Sequence, residues 1–318
     1  MEVSLSISNF SIVIKRIISN LVLLSVIVFI LDFTIGKTLN YFYFNEKSGL
    51  HYRTTVSIDS TTAGILIFGS SRANHHYIPE TLEQRLNLNT YNCGREGNSI
   101  LYSYAVFKAV VKRYTPQILI FDINLNELNY DKVSYERLSS LLPYYKNHPE
   151  IRDIVKLISP FEKYKLLSKI YPYNSMLLTI IIGNMGLNKT RKGDIKGYVP
   201  LNSNIKDKVL HKISSVNSTL DTAKVYAVSQ IIKYCEINNI RLIFIQSPMY
   251  GIGQSTNTTD YFTKLNQENK VIFWNFMNDS VFINKPEYFQ DQDHLNDKGA
   301  NYFSNLLVSK LKYLNPIQ

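Results

Sequence analysis

The turn Gly69-Ser70-Ser71-Arg72 offers a hydroxyl, and near the other end of the chain Asp291-Gln-Asp-His294 offers a carboxylate three residues before an imidazole. In one tight turn that spacing lets the carboxylate face the ring and fix its tautomer, so that His294 can take a proton from a hydroxyl such as that of Ser71. Acyl transfer by this route also needs donors for the developing oxyanion. Gly97 has no Cβ to keep a ligand from its N–H, Asn126 carries a side-chain amide, and the backbone N–H of Ser71 points the same way. Asn124 carries the same amide and competes with Asn126 for the role. Each element alone has a plainer reading, because Ser-Ser turns after strands are common, glycines mark turns, and an Asp and His can simply precede a helix. Their joint order along the chain is what carries the chemistry.

Such side chains meet only if the elements bearing them end at one edge. Short apolar runs at 64–68, 86–91, 117–121, 240–245 and 271–274 read as strands, and helical spacing occupies 102–113, 219–239 and 297–314. Strands that are apolar without alternation are buried on both faces, so their alternation with helices means a parallel sheet covered on both sides. In such sheets the chemistry collects at the carboxyl ends of the strands. Ser70 and Ser71 follow the first strand, Gly97 the second, Asn124 and Asn126 the third.

At this point the sequence resembles the SGNH (GDSL-type) hydrolase family, named for these four residue types. Gly69-Ser70-Ser71 looks like its first block, with Ser70 where an Asp is usual and Ser71 in the nucleophile's place. Asn92-Cys-Gly-Arg-Glu-Gly97 resembles the second block, and Phe121-Asp-Ile-Asn-Leu-Asn126-Glu127-Leu aligns on a pattern usually ending Gly-x-Asn-Asp-Leu. The usual glycine of that block is Asn124 here. Asp291-Gln-Asp-His294-Leu-Asn, followed by Gly299-Ala, is similar to the fifth block. The resemblance covers residues 63–130 and 219–314. It implies a three-layer, flavodoxin-like α/β fold and a serine esterase or O-acyltransferase with Ser71, His294 and Asp291 as catalytic residues. Gly97, Asn126 and the Ser71 N–H would form the oxyanion site, with no cofactor. Ser in place of Asp at position 70 is seen in membrane-anchored relatives that act on envelope polymers.

Other readings of the residues are narrower. Two cysteines, Cys93 and Cys235, cannot build a disulfide scaffold or a tetrahedral metal site, and read as buried hydrophobes. Of six histidines only the adjacent His75 and His76 invite a metal, and neighbours on an extended segment would point to opposite faces. No metal site is therefore expected.

The chain is charge-free from Ile17 to Leu31, and the apolar stretch continues past Asp32 to end at Gly36, twenty residues in all, enough to span a bilayer core. The exit at Asp32 to Lys37 lacks the small residues of a cleavage site, so the stretch reads as an uncleaved signal-anchor rather than a signal peptide. Lys15 and Arg16 before it, against Lys37 after it, favour a cytoplasmic N-terminus and an extracytoplasmic domain. Residues 1–39 then form the tail and anchor, 40–62 a juxtamembrane linker, and 63–318 the α/β domain with an insert at 131–218. That insert holds fifteen basic and seven acidic residues, +8 of the chain's net +10. It is expected to be mostly helical, with a helix at 135–142, a loop at 193–204 and a buried apolar run at 176–182, and to serve as a lid drawing an acidic polymer to the site. No P-loop, zinc or nucleic-acid-binding pattern accompanies the charge, which argues against nucleic acid.

An exported acyl-transfer site beside the membrane has envelope esters such as acylated glycan as its expected substrates, with a multispanning acyl exporter as a donor partner. The alternative is an inactive protein of the same fold that binds polysaccharide or a membrane partner.

Overall fold

The computed structural model describes residues 2–187, 195–206, 209–213 and 218–314. Strands β1 (Ile65–Phe68), β2 (Thr90–Asn92), β3 (Ile118–Asp122), β4 (Arg241–Gln246) and β5 (Ile272–Asn275) form a parallel sheet in the order β2-β1-β3-β4-β5. Leu66 pairs with Leu119 and Leu119 with Leu242, while Phe68 pairs with Phe121 and Phe121 with Phe244. Because side chains alternate along a strand, these rows share one face and the isoleucine rows share the other. Ile67, Ile120 and Ile243 make one such row. The leucine–phenylalanine face packs with helices α3 (Ile100–Val111) and α4 (Thr222–Ile237), and Phe68 stacks on Phe121 at 4.8 Å between ring centroids. The isoleucine face packs with Pro79–Leu86 and with α5 (Asp297–Tyr313). Burial on both faces explains why the strand runs do not alternate.

One strand boundary differs from the sequence reading for a local reason, and one conformation differs because of tertiary packing. The stretch before β2 is helix through Leu86, started by Pro79 at its first turn and closed by left-handed Asn87 (φ 54°), so β2 begins only at Thr90. His75 and His76 lie on the helix α2 (Ser71–His76), not on an extended segment, and both are buried. Among the described residues no cluster of three His, Cys, Asp or Glu is arranged to hold a metal.

Among the described residues one helix, α1 (Glu2–Phe44), is long and apolar enough to cross a membrane, and its side chains from Phe10 to Leu31 are exposed. The stretch read as a linker at 40–62 is folded into the domain instead. Helix Leu50–Thr55 and the π-turn Val56–Ser60 bury His51, Arg53, Thr54, Ser57 and Ile58, and Tyr43 at the end of α1 is fully buried.

The described residues of the insert form short helices and 3₁₀ turns, with a two-residue strand Lys212–Ile213 that pairs with Ile252–Gly253. The helix read at 135–142 is Lys132–Glu136 continuing into the 3₁₀ segment Arg137–Tyr144, which contains Pro143. Its Leu138, Leu141, Tyr144, Ile151, Ile154 and Val155 are buried in the same cluster as the leucine–phenylalanine face of the sheet. It is therefore part of the core and not a detachable lid. The apolar run near 176–182 forms helix Leu177–Asn184, where Ile180 and Gly183 are buried but Leu178 and Ile181 face outward. The start of the loop read at 193–204, before Ile195, lies outside the described residues.

Candidate active site

The order β2-β1-β3 reverses the direction of winding at β1, which opens a crevice at the carboxyl ends of β1 and β3. Ser71 enters that crevice as the first residue of α2, directly after β1. The turn is tight: Gly69 has φ +145°, and a Cβ there would lie 2.7 Å from the Asp122 carbonyl. Only glycine fits this approach.

His294 Nε2 lies 2.7 Å from Ser71 Oγ, and His294 Nδ1 lies 2.9 and 3.0 Å from the two carboxylate oxygens of Asp291. A carboxylate can only accept, so Nδ1 carries the proton and Nε2 is left to accept from the Ser71 hydroxyl. The Asp291 carboxylate also accepts the backbone N–H groups of Asp293 and His294, each at 2.9 Å. Burial alone would raise its pKa. The hydrogen bonds and electrostatic attraction from His294, with the backbone N–H groups, outweigh burial and hold the carboxyl below its ordinary range.

Ser71, Gly97, Asn124 and Asn126 all line one pocket of about 570 Å³. The two asparagines are not equivalent. Asn124 gives its NH₂ to Glu127 at 2.5 Å and accepts the Asn126 N–H at 2.9 Å, so its amide is committed at both ends. Asn126 accepts from Asn129 at 3.2 Å through its carbonyl oxygen, which leaves its NH₂ unengaged among the described residues. The Ser71 and Gly97 N–H groups likewise make no hydrogen bond among the described residues. For Ser71 this follows from its place in the first turn of a helix.

Several residues that position the site carry no motif. Arg72, 4% exposed, pairs with Asp122 at 3.2 Å and donates to the Ile123 carbonyl, and Tyr77 donates to Asp122 at 2.5 Å. This ties the Ser71 turn to the end of β3. His76 accepts the Leu295 N–H at 3.0 Å and donates to Ser247 at 2.9 Å, holding the residue next to His294. Burial, with the nearby Arg72 charge, keeps its pKa well below the usual imidazole range, so it is neutral. His75 donates to the Val199 carbonyl at 2.7 Å and packs edge-on against His294. Glu127 accepts the Ile100 N–H at 2.6 Å, and burial raises its pKa despite the attraction of Lys224. Arg53 pairs with Glu96 at 3.0 Å, and Arg95 donates to Thr54 and to the Leu50 carbonyl, so the helix that follows α1 holds the Gly97 loop. From the insert, the guanidinium of Arg137 packs directly on Gly97. The sequence signal that was available is the basic residue following Ser71 and the acid closing β3; the rest depends on tertiary placement.

Comparison with known protein families and with curated proteins gives no significant match for this chain.

Proposed function

We propose that the chain is a membrane-anchored serine acyl-ester hydrolase or O-acyltransferase of the SGNH (GDSL) type, acting on acyl esters of a cell-envelope glycan. The observation that carries the reading is the linear array Asp291, His294, Ser71 beside three unengaged donors in one pocket. The strand order, with both sheet faces covered, fits the three-layer, flavodoxin-like arrangement of that family. Ser71 Oγ attacks the ester carbonyl while its proton passes to His294 Nε2, and Asp291 stabilises the imidazolium. The negative charge on the carbonyl oxygen meets the N–H groups of Ser71 and Gly97 and the Asn126 amide. Collapse breaks the C–O bond, the proton on Nε2 goes to the departing alkoxide, and the acyl group remains on Ser71. Water, or a sugar hydroxyl, then gives its proton to His294 and takes the acyl group, regenerating the serine.

The net +8 of the insert and Arg137 beside Gly97 suit an acidic polymer as acceptor. The charge balance around α1 supports a cytoplasmic N-terminus with the α/β domain on the far side, where a multispanning acyl exporter would deliver a donor. The test is turnover of a short-chain aryl ester by the full chain in detergent. Wild type should turn over and be labelled by a fluorophosphonate, and Ser71→Ala should do neither. Equal turnover by both, with no labelling of wild type, would replace the enzyme reading by that of a glycan-binding protein.

A further inference from the structure

A second cavity, of about 690 Å³, lies between α1 and the insert and is lined by Lys37, Lys146, Arg152, Lys163 and Lys169, with no carboxylate in its wall. None of these five cations is in an ion pair among the described residues, and the nearby carboxylate of Asp32 is bound to the Ser168 hydroxyl and the Lys169 N–H and partly offsets the charge of Lys169. Arg152 donates through Nε and Nη2 to the carbonyls of Tyr145 and Lys146 at 2.9 Å each, which fixes the guanidinium and leaves Nη1 uncommitted. Phe33, Leu142, Leu166 and Tyr173 supply an apolar side to the same space.

The walls are joined by specific contacts. Asp32 on α1 accepts the Lys169 and Ile170 N–H groups at 2.7 and 3.2 Å, and Asn40 donates to the Tyr173 hydroxyl at 2.7 Å. Gly36 is covered by the Lys169 backbone so closely that no Cβ would fit. The insert is thus fastened to the membrane helix along its last exposed turns.

The height of the cavity follows from the sequence of α1. The twenty-residue span 17–36 carries a single charge, Asp32, near its outer end, so the hydrocarbon boundary falls between Asp32 and Gly36. Lys37 then stands just outside that boundary, at the inner edge of the headgroup layer. Exposed Phe161 and Leu167 flank this part of the insert. A site with five unpaired cations, an apolar wall and an opening at headgroup height matches a ligand that is anionic at one end and apolar at the other.

We propose that this cavity binds the phosphate-bearing headgroup of an anionic lipid in the leaflet next to the α/β domain. The phosphate accepts from Lys146, Lys163, Lys169 and the free Nη1 of Arg152, while the acyl chains leave along Phe33 and the exposed face of α1. The site does not depend on the Ser71 chemistry and stands or falls separately from it. Binding here would set the depth and tilt of the domain on the membrane.

The experiment reconstitutes the full chain in nanodiscs of equimolar phosphatidylglycerol and phosphatidylcholine, and counts lipid retained after extraction by native mass spectrometry. Wild type should retain phosphatidylglycerol over phosphatidylcholine by roughly tenfold or more. The exposed-lysine variant K146Q/K163Q/K169Q should fall to near parity. A variant losing the same charge elsewhere, K233Q/K264Q/K298Q, should keep the preference. Equal retention of the two lipids by wild type would overturn the proposal, as would equal loss in both variants. Displacement of the retained lipid by millimolar glycerol phosphate would show that a water-soluble phosphate suffices, which also overturns the lipid assignment.

Discussion

At the scale of single residues, the two asparagines after β3 differ in what their amides are free to do. The Asn126 NH₂ is unengaged, whereas that of Asn124 is held by Glu127. Asn126→Ala should therefore lower kcat by roughly 10²–10³-fold with little change in KM, about 3–4 kcal/mol of transition-state stabilisation. If instead Asn126→Ala is silent in steady-state kinetics and Asn124→Ala is severe, the donor assignment is wrong while the serine mechanism survives. Ser71→Ala and His294→Ala should each abolish nearly all turnover, and the double variant should cost little beyond either, because the pair acts as a unit. Arg72 contributes differently. Arg72→Met would leave Asp122, 3% exposed, as a buried carboxylate with only the Tyr77 hydroxyl for company. Breaking a buried pair in this way costs about 3–5 kcal/mol, so denaturant unfolding should show a loss of that size before any effect on chemistry is considered.

At the scale of elements, the insert is bound to the segment following α1 by a titratable clamp. His148 Nε2 lies 2.8 Å from Asp59 and its Nδ1 lies 2.7 Å from Glu150, and the Asp59 hydrogen bond, outweighing partial burial, raises the His148 pKa. A histidine whose folded pKa is raised adds stability in full below its unfolded pKa of about 6.5, and loses that contribution as pH climbs through the raised value. Hydrogen exchange of residues 144–158, corrected for intrinsic rates, should report easier opening as pH rises from about 6 to 9 in wild type. In His148→Gln the opening free energy should be flat over the same range; a wild-type slope surviving in that variant would place the titrating group elsewhere. The same contrast between local and tertiary determinants explains what could be read beforehand. The runs at 64–68, 117–121 and 240–245 announced β1, β3 and β4 within a residue or so, because a strand buried on both faces must be apolar throughout. Asp291 and His294 were legible because their partnership is local. The helix Leu50–Thr55 was not, because it is held by buried polar groups such as Arg53 and Thr54, whose partners Glu96 and Arg95 come from a distant loop. The wrong conformation for His75 and His76 has the same origin, since the helix they occupy is defined by what α2 packs against.

At the scale of the whole molecule, the end of α1, the helix Leu50–Thr55 and the Gly97 loop form one continuous chain of contacts. Tyr43 is buried with Tyr144 and Tyr173 of the insert, His51 reaches Thr179, and Arg53 and Arg95 carry the connection to Glu96 and Gly97. Where the chain is cut therefore decides what folds. A chain beginning at Asn40 keeps Tyr43, the helix Leu50–Thr55 and the Asn40–Tyr173 bond, and loses the Asp32 contacts to residues 168–170, the packing of Gly36 on Lys169 and the partly buried Leu39. One beginning at Ala63 follows the boundary that the sequence reading placed between linker and domain, and it strips Arg95 of its Thr54 and Leu50 acceptors and Glu96 of Arg53. It also uncovers the cluster that Tyr43 and Ile58 close. Leaving the Arg95 guanidinium buried with its acceptors gone costs several kcal/mol, which is comparable to the whole stability of a typical domain once the lost apolar burial is added. The shorter chain should accordingly fail to show a cooperative thermal transition and should lack ester turnover, while the one from Asn40 should unfold cooperatively and turn over ester at nearly the rate of the full chain in detergent. Two equally cooperative transitions would mean that residues 40–62 lie on the domain without supporting it, and that the Gly97 loop holds its shape unaided.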